Sequence, residues 1–331
     1  MLFRSASEFA RELQPGQTVE IMTGAPVPPG ADAVVMLEYT RREAGAVVVE
    51  RSAAVGENIV PAGAEARRGQ VVLKARTRLG PAHMAVAAAV GVTQIAVYRR
   101  PRVAILATGD EIVEAGAQPG PSQIRNSNSY SLAAQVEAAG GEAVILDIAP
   151  DQRQPLRRLL AEGLAADLLL VSGGVSAGKY DLAEEVLGEF GAQFFFTGAL
   201  IQPGRPIVFG RAAPRPGAPP AYFFGLPGNP VSTLVCFDLF ARAILEALAG
   251  AEPQPLQFLH ARLGKEIRTR TGLTRFLPGL LSGALDQVQV ELASWQGSGD
   301  MVAAARANCW VVIPPDRNRI PEGEWVAVLP R

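Results

Sequence analysis

The chain has 331 residues, 48% of them hydrophobic and 19% charged, with 34 glycines and 26 prolines. This length and composition allow a large buried core and predict a globular chain of two or three domains. The net charge of −1 gives no basic surface for nucleic acid or an anionic membrane, so any anionic ligand must be held by local groups.

The cysteines and histidines argue against several kinds of site. Cys236 and Cys309 lie far apart without metal-ligand spacing, which predicts buried thiols in a reducing cytoplasm. His83 and His260 are isolated, which disfavours a histidine metal site or a Ser-His relay. The sequence also has no apolar run of the length that a signal peptide or a membrane span requires.

Residues 1 to about 75 alternate short apolar segments with turns and predict a small β domain. The predicted strands cover residues 18–22, 33–37, 46–50 and 71–73. The loop over 22–32 is rich in glycine and proline and presents the hydroxyl of Thr23. Such a loop either turns the chain or contacts a ligand, and its residues leave both open.

The next part of the chain changes from turns to regular alternation. An alanine-rich helix over 81–90, ended by Gly91, and a strand over 93–98 lead to a boundary at 99–102. Beyond it strands alternate with helices, as in a largely parallel sheet with helices on both faces. The predicted strands cover 103–107, 143–148, 168–171, 193–196, 207–209 and 222–224, and the predicted helices cover roughly 129–139, 152–165, 181–190 and 230–249.

Three loops follow the carboxyl ends of these strands, where open α/β sheets bind ligands. In the first loop, over 107–111, Asp110 and Glu111 form a carboxylate pair that can hold a hydrated Mg²⁺ beside a phosphate. The alternative is that either carboxylate caps or salt-bridges a local group.

The second loop follows the continuously apolar run 168–171, which is typical of a strand buried on both faces. It contains glycines and hydroxyls, and Asp181 has capping-box spacing to Glu184 at the start of a predicted helix. A strand, a glycine loop and a helix start together form a cradle for an anion. The alternative is a tight turn without a ligand.

The same loop also has part of the spacing of a nucleotide-binding P-loop. Gly173, Gly178 and Lys179 match its first seven positions, but Tyr180 stands where a Ser or Thr hydroxyl must reach Mg²⁺. A nucleoside triphosphatase is therefore only a minor alternative.

The third loop, over 224–232, directs a helix amino terminus into the same crevice. Asn229 suits the N-cap and Pro230 the first helical position, which predicts a second anion site. Between the second and third loops, two prolines hold Arg205 on a turn, and a guanidinium is suited to bidentate phosphate recognition. A solvated loop arginine is the alternative.

The last part of the chain, after Gly250, predicts a small β-barrel or sandwich. A linker over 253–255 precedes it. Its predicted strands cover 257–262, 274–278, 288–292, 309–313 and 325–329. The loop over 296–299 either presents Ser298 to a ligand or simply turns the chain.

Taken together, these stretches resemble the molybdopterin molybdenumtransferase family, which includes bacterial MoeA and the E domain of gephyrin. The ordered set extends over nearly the whole chain from about Gln17. The matching pieces are Thr23-Gly24-Ala25-Pro26, Thr108-Gly109-Asp110-Glu111, Ser127-Asn128-Ser129, Ser172-Gly173-Gly174-Val175-Ser176, Pro203-Gly204-Arg205-Pro206, Gly225 to Ser232 and Gln296-Gly297-Ser298-Gly299.

The resemblance implies an α/β fold with three domains. Residues 1–98 would be a β-rich region, shortened relative to the family; residues 99–251 a three-layer α/β/α molybdopterin-binding domain; and residues 252–331 a β-barrel domain. It also implies a cytoplasmic homodimer with its active site between subunits, and it allows contact with the adenylyltransferase of the preceding step. The implied reaction takes adenylylated molybdopterin and molybdate, releases AMP with the help of a divalent cation, and leaves molybdenum on the dithiolene sulfurs.

The resemblance also implies roles for particular residues. Asp110 and Asp181 are the expected catalytic and Mg²⁺-binding residues, with Glu111 as a further metal ligand. The expected substrate-binding residues are Thr23, Ser172, Gly173, Gly174, Ser176, Gln202, Arg205, Pro227, Gly228, Asn229, Pro230, Ser232, Arg275 and Ser298.

The sequence departs from the family pattern in three places, one of which is Glu184, where the family commonly has a lysine. The family has an Asn-Ser-Ala-Met-Asp-Gly-Tyr-Ala run whose aspartate belongs to the active site, and this sequence contains no such run. Gln202 replaces one of two lysines in the family's Lys-Pro-Gly-Lys-Pro turn, and Arg205 replaces the other. Three interpretations remain open: a natural chain with an earlier start, a pterin-binding or scaffold paralogue without metal insertion, and an enzyme that works with this set.

Overall fold

The computed structural model describes residues 11–173, 182–252 and 254–331. The chain divides into two compact units, Met1–Lys74 and Ala75–Arg331. None of the described helices is both long enough and apolar enough to cross a membrane. The domain boundaries predicted at 98/99 and 251/252 stay predictions.

The first unit is a small β domain built on one hairpin. A 3-10 turn, Leu37–Tyr39, leads into strand β1, Thr40–Glu43, which pairs antiparallel with β2, Ala46–Val49. Ala44 and Gly45 connect them with φ angles of 44° and 86°. Two consecutive positive φ angles belong to the tight hairpin turn whose twist matches that of the flanking strands.

Only one of the four strands predicted in this unit is confirmed, the one at 46–50. The prediction at 33–37 is wrong, because Val34 is tied to a turn rather than to a neighbouring strand. Its amide donates to the carbonyl oxygen of Glu57 at 3.0 Å, and its carbonyl accepts from Nδ2 of Asn58 at 2.7 Å. Residues 18–22 contain a single bridge residue, and residues 71–73 contain no strand.

The second unit begins with helix α1, Pro81–Ala89, close to the predicted 81–90. The helix ends because Gly91 adopts a φ of 80°, which a residue without Cβ tolerates. The strand predicted at 93–98 does not form. The Tyr98 ring instead packs on Gly250, where an added Cβ would lie 2.4 Å from the ring, so this segment is held by side-chain packing.

The middle of the second unit is an α/β region. Its strands are β3 Arg102–Ala107, β4 Ile112–Val113, β5 Ile124–Arg125, β6 Glu142–Ile145, β7 Leu168–Ser172, β8 Gln193–Phe196, β9 Ile201–Gln202, β10 Val208–Ala212 and β11 Ala221–Leu226. Its helices are α2 Asn128–Ala138, α3 Arg153–Gly163, α4 Leu182–Glu189, α5 Pro230–Cys236 and α6 Arg242–Leu248, with a π-helical turn at Phe237–Ala241 between the last two.

Six of these strands form one sheet in the order β6-β3-β7-β11-β10-β8. The first four are parallel, and β10 is antiparallel to both of its neighbours. Leu168 on β7 lies opposite Val103 on one side and Tyr222 on the other. The predicted strands and helices are therefore confirmed to within a few residues, and the sheet is largely parallel.

The sheet is covered on both faces, as continuously apolar strands require. On β3, Val103 and Ile105 pack in a core with α2 and α5, whereas Ala104 and Leu106 pack in a second core with α3 and α4. This alternation gives three layers, helices over sheet over helices, and confirms the predicted α/β/α architecture.

The last part of the second unit is a closed β-barrel rather than a sandwich. Its elements are β12 Leu259–Leu263, β13 Ile267–Arg268, β14 Thr274–Ser282, β15 Gln289–Leu292, α7 Met301–Arg306, β16 Cys309–Ile313, β17 Arg319–Ile320 and β18 Trp325–Pro330. The strands run β15-β12-β18-β16-β14, and a pairing between β14 and β15 closes the ring of five. Strand β9 of the α/β region adds to β14 in parallel.

Candidate functional site

The carboxyl ends of β3, β7 and β11 lie side by side in the central sheet. The Thr108 amide donates to the Ser172 carbonyl oxygen at 3.0 Å, and the Gly173 amide donates to the Leu226 carbonyl oxygen at 3.2 Å. The ladder thus continues one residue past the ends of β3 and β7. These bonds bring together the three loops that the sequence indicated, and we call residues 108–111, 172–173 and 226–229 the cradle.

An asparagine at the start of α2 connects two loops of the cradle. Nδ2 of Asn128 donates to Oγ of Ser172 at 2.8 Å and to the carbonyl oxygen of Gly228 at 2.7 Å. Ser172 is 4% exposed. Asn128 belongs to one of the motifs that resemble the family, but its role was not predictable, because a contact between residues 128 and 228 leaves no trace in local spacing.

Close backbone approach explains a glycine in the cradle. Gly173 has a φ of 89°, and a Cβ at this position would lie 2.5 Å from the carbonyl oxygen of Thr108. At Gly228, the nearest atom to such a Cβ would be Cα of Gly173 at 3.7 Å. Only a residue without a side chain fits at Gly173. Because no side chain covers them, the backbone groups here are accessible to a ligand.

The start of α5 is built as predicted, with Asn229 at the N-cap and Pro230 at the first helical position. Its anion-binding capacity is smaller than expected. The Val231 amide donates to the carbonyl oxygen of Ser298 at 2.9 Å, so it is not available to an anion. The same bond places the loop 296–300 against the helix start. Residues Gln296 to Asp300 line a cavity of about 680 Å³ in the described part of the chain.

Negative charge collects beside the first loop. The amide of Asp151 donates to Oδ1 of Asp110 at 3.0 Å, and the Gly109 amide donates to the Ala149 carbonyl oxygen at 3.1 Å. Burial raises the pKa of the Asp151 carboxyl, and the charges of Asp110 and Glu111 raise it further. Sequence reasoning missed Asp151, which follows the carboxyl end of β6 and therefore reaches the same edge of the sheet.

A cation would relieve this crowding of carboxylates. Asp110 and Glu111 are exposed and offer the oxygen ligands that Mg²⁺ prefers. Across residues 11–173, 182–252 and 254–331, however, no three His, Cys, Asp or Glu side chains are arranged as a metal site. A Mg²⁺ ion at this edge would need Asp181, which lies outside the described residues, or water as further ligands.

The predicted cationic side chains lie outside the cradle. Gln202 on β9 lies opposite Arg275 on β14, and the Arg275 guanidinium donates to the Arg270 carbonyl oxygen at 3.0 and 3.2 Å. Gly204 packs against Sγ of Cys236, at the far end of α5. With a rise of 1.5 Å per residue, this contact is roughly 9 Å along the helix from Pro230. Arg205, beside it, is exposed.

Three consecutive parts of the chain match known families. The MoeA N-terminal region (domain I and II) matches residues 3–91, a probable molybdopterin binding domain matches residues 104–247, and the MoeA C-terminal region (domain IV) matches residues 260–330. The cradle lies within the second of these matches.

Individual relatives agree with the family matches. A molybdopterin molybdenumtransferase of Nostoc sp. is 35% identical over 320 residues, which cover 96% of this chain and 73% of the relative. The chain belongs to the molybdopterin molybdenumtransferase family. The molybdopterin molybdenumtransferase of Bacillus subtilis is 31% identical over 324 residues, covering 96% of this chain and 74% of that relative. The molybdopterin biosynthesis moeA protein of Pyrococcus horikoshii OT3, a solved structure, is similar over 100% of this chain and 79% of its own, with 27% identity and a TM-score of 0.77.

Several site residues expected for a molybdopterin molybdenumtransferase meet in the cradle, and others do not. Those in or beside it are Asp110, Glu111, Ser172, Gly173, Pro227, Gly228, Asn229, Pro230, Ser232 and Ser298. Thr23 lies in the first unit, exposed on a turn in which the Ala25 amide donates to the Met22 carbonyl oxygen at 3.0 Å. Gly174, Ser176 and Asp181 lie outside the described residues, as does Lys179 of the P-loop alternative.

Proposed function

We propose that this protein acts in molybdenum cofactor biosynthesis as a molybdopterin molybdenumtransferase. It takes adenylylated molybdopterin and molybdate, releases AMP and leaves molybdenum on the pterin dithiolene. The observation that carries the proposal is the convergence of three strand-end loops in one cradle, in a chain that matches the family from residue 3 to residue 330. Both substrates are anions, and a cradle of amides, hydroxyls and carboxylates with a cation can hold them.

We propose that the substrate is contacted by groups from the second loop, from the opposite wall of the cradle and from residues outside the cradle. Ser172 and Gly173 supply a hydroxyl and an amide from the second loop, and the turn from Pro227 to Ser232 shapes the opposite wall. Gly174 and Ser176, which lie outside the described residues, are proposed as further substrate contacts from the second loop. Ser298, held against α5, contacts the substrate or molybdate from the barrel side. Thr23, Gln202, Arg205 and Arg275 are proposed as outer substrate contacts, with the two guanidinium groups suited to phosphate or molybdate oxygens.

The carboxylates require a cation if they are to face a phosphate. We propose that Asp110 and Asp181 hold Mg²⁺, with Glu111 as a further ligand. When bound, Mg²⁺ supplies charge neutralisation at the phosphoanhydride and a bound water of lowered pKa. Oδ1 of Asp110 accepts the Asp151 amide, which orients the carboxylate and leaves Oδ2 for the ligand side. Asp110 itself is exposed, on the turn that follows β3.

The assembly and location of the protein follow the family in this proposal. We propose a homodimer, with contact to the adenylyltransferase that supplies the adenylylated substrate, in the cytoplasm. A substrate handed over directly would be protected from hydrolysis in bulk water.

A second candidate function is a pterin-binding scaffold without metal insertion. Gln202 favours it, because a neutral amide stands where the family has a lysine. A charge-assisted contact contributes roughly 1.5 to 3 kcal/mol and a neutral one about 1 kcal/mol, so phosphate binding by this turn would be weaker.

One assay separates these functions. The protein is incubated with adenylylated molybdopterin, Mg²⁺ and molybdate, and AMP and molybdenum-loaded cofactor are measured. The transferase releases AMP only when both Mg²⁺ and molybdate are present, whereas a scaffold binds the pterin tightly without release. ATP hydrolysis that is lost on Lys179→Ala would instead support a P-loop nucleotidase.

A further inference from the structure

Asn128 lies between two loops of the cradle and forms hydrogen bonds with both. No other described side chain connects these two loops by hydrogen bonds. Its Nδ2 group donates to the side-chain oxygen of Ser172 and to the main-chain oxygen of Gly228. Ser172 ends strand β7, and Gly228 lies in the turn between β11 and α5. One amide therefore spans the gap between the phosphate-binding loop and the opposite wall.

The orientation of this amide follows from hydrogen-bond chemistry. The carbonyl oxygen of Gly228 can only accept, so the Asn128 NH₂ group must face it. Oδ1 of Asn128 then points away and is buried without a hydrogen-bond partner in the described structure. The buried hydroxyl of Thr108, next to Gly173, is likewise unpartnered among the described residues. An unsatisfied buried acceptor in a native structure needs an explanation, and a positioning role supplies one.

Asn128 is held on a rigid support. The Ser129 amide donates to Oδ1 of Asn126 at 3.1 Å, and Oγ of Ser131 donates to the Asn128 carbonyl oxygen at 3.0 Å. Leu132 and Val136, one and two turns along α2, are fully buried against the central sheet. Helix α2 therefore holds Asn128 in place, and the two hydrogen bonds from Asn128 hold the two loops relative to this helix.

We propose that Asn128 is a positioning residue that sets the spacing between the Ser172 loop and the Gly228 turn. The ligand phosphate is held across that spacing, so this inference rests on the proposed function of the same site. An asparagine suits the position because it can donate twice to acceptors. Asn128→Asp places a carboxylate oxygen against the Gly228 carbonyl oxygen, and Asn128→Ala removes both bonds.

The test compares Asn128→Ala and Asn128→Asp with Asn308→Ala in the full-length protein. Asn308 is a matched control, because its side chain also makes two hydrogen bonds, with the amide and the carbonyl of Leu281, but it lies in the barrel. The dissociation constants of AMP and of metal-free molybdopterin are measured by equilibrium dialysis, together with kcat and KM for AMP release and the thermal midpoint.

We expect Asn128→Ala to raise KM and at least one dissociation constant about 10-fold, with a smaller change in kcat. This is the size of loss seen when a residue that orients the ligand-contacting groups is removed. Asn128→Asp is expected to weaken binding at least as much. Asn308→Ala is expected to lower the thermal midpoint without changing either dissociation constant.

Two outcomes overturn the inference while the proposed function stands: dissociation constants for folded Asn128→Ala within about 2-fold of the wild type, or an equal loss in Asn308→Ala. Wild-type protein that binds both probes but never releases AMP overturns the proposed function and still tests Asn128 by binding. Wild-type protein that binds neither probe overturns both.

Discussion

Nε1 of Trp310 donates a hydrogen bond of 2.7 Å to Oδ2 of Asp238, and this bond joins the barrel to the π-helical turn behind the cradle. Nε2 of Gln135 donates to the other oxygen of Asp238 at 2.7 Å. Burial raises the pKa of the Asp238 carboxyl, although the bond from Trp310 and the charge of Arg331 oppose that shift. The fully buried indole of Trp310 and the partly buried amide of Gln135, from different layers, thus share one carboxylate.

Replacing Asp238 should destabilise the second unit. Asp238→Ala leaves the buried indole N–H of Trp310 unpaired and removes one of the two acceptors of Nε2 of Gln135, the other being the Leu234 carbonyl oxygen. This costs about 1 to 3 kcal/mol in the free energy of unfolding. Trp310→Phe removes this donor at a cost of about 1 kcal/mol, and the smaller ring at a fully buried site adds the cost of a cavity. Denaturant unfolding measures both. Equal stability of Asp238→Ala and wild type would show that the bridge contributes nothing.

Asp110→Asn should stop AMP release while the fold survives. The amide oxygen can still accept the Asp151 N–H, but the neutral side chain loses the charge that holds a cation. Metal assistance contributes several kcal/mol to such reactions, so kcat should fall by at least ~10²-fold.

The control for Asp110→Asn is Asp286→Asn, the same chemical change on an exposed turn of the barrel region. It should leave turnover unchanged. Higher Mg²⁺ should partly restore Asp110→Asn, since a weaker site fills at higher concentration. Normal turnover of Asp110→Asn at low Mg²⁺ would remove Asp110 from the proposed metal site.

Gly173→Ala should distort the cradle. The new Cβ would meet the Thr108 carbonyl oxygen at 2.5 Å, and the φ of 89° is unfavourable for alanine. We expect a loss of about 1 to 3 kcal/mol in the free energy of unfolding, with weaker AMP binding. Gly188→Ala, inside α4 with open space around it, should instead stabilise by about 0.5 to 1 kcal/mol. A Gly173→Ala variant as stable as wild type would contradict the close approach.

Acid stability should depend on Asp167. The Arg99 guanidinium donates two hydrogen bonds of 2.6 Å to the Asp167 carboxylate and holds the pKa of that carboxyl below its ordinary value of 3.8. Because the folded-state pKa is the lower one, the unfolded state binds the proton first as the pH falls. The stabilisation is therefore present above the unfolded pKa of 3.8 and is lost as the pH falls through the folded value.

Asp167→Asn should lower stability by about 1 kcal/mol at pH 7 and flatten the loss of stability in acid. Arg99→Gln should change stability in the same direction. The double variant should cost less than the sum of the two single losses, because both remove the same interaction. Denaturant unfolding measured from pH 7 to acid tests this, and strict additivity would count against a direct pair.

Local patterns predicted the α/β region well and the first unit poorly. The strands at 103–107 and 168–171 are apolar runs buried between helices, and a buried run is visible in the residues themselves. In the first unit, half-exposed segments such as 33–37 become strands only if a partner lies beside them. That partner depends on the path of the chain, so the prediction failed where the neighbour is a turn.

The residues of this chain determined by themselves its layered α/β core, the glycine and proline turns at the strand ends, and the family to which it belongs. They did so because burial, capping and turn chemistry act between neighbours in sequence. Three interactions were decided only in the tertiary structure. They are the hydrogen bond from Asn128 to Gly228, the hydrogen bond from the Val231 amide to the Ser298 carbonyl oxygen, and the effect of the Asp110 charge on the pKa of Asp151. Each depends on how strand ends meet in space, across separations of up to 100 residues, which no local pattern encodes.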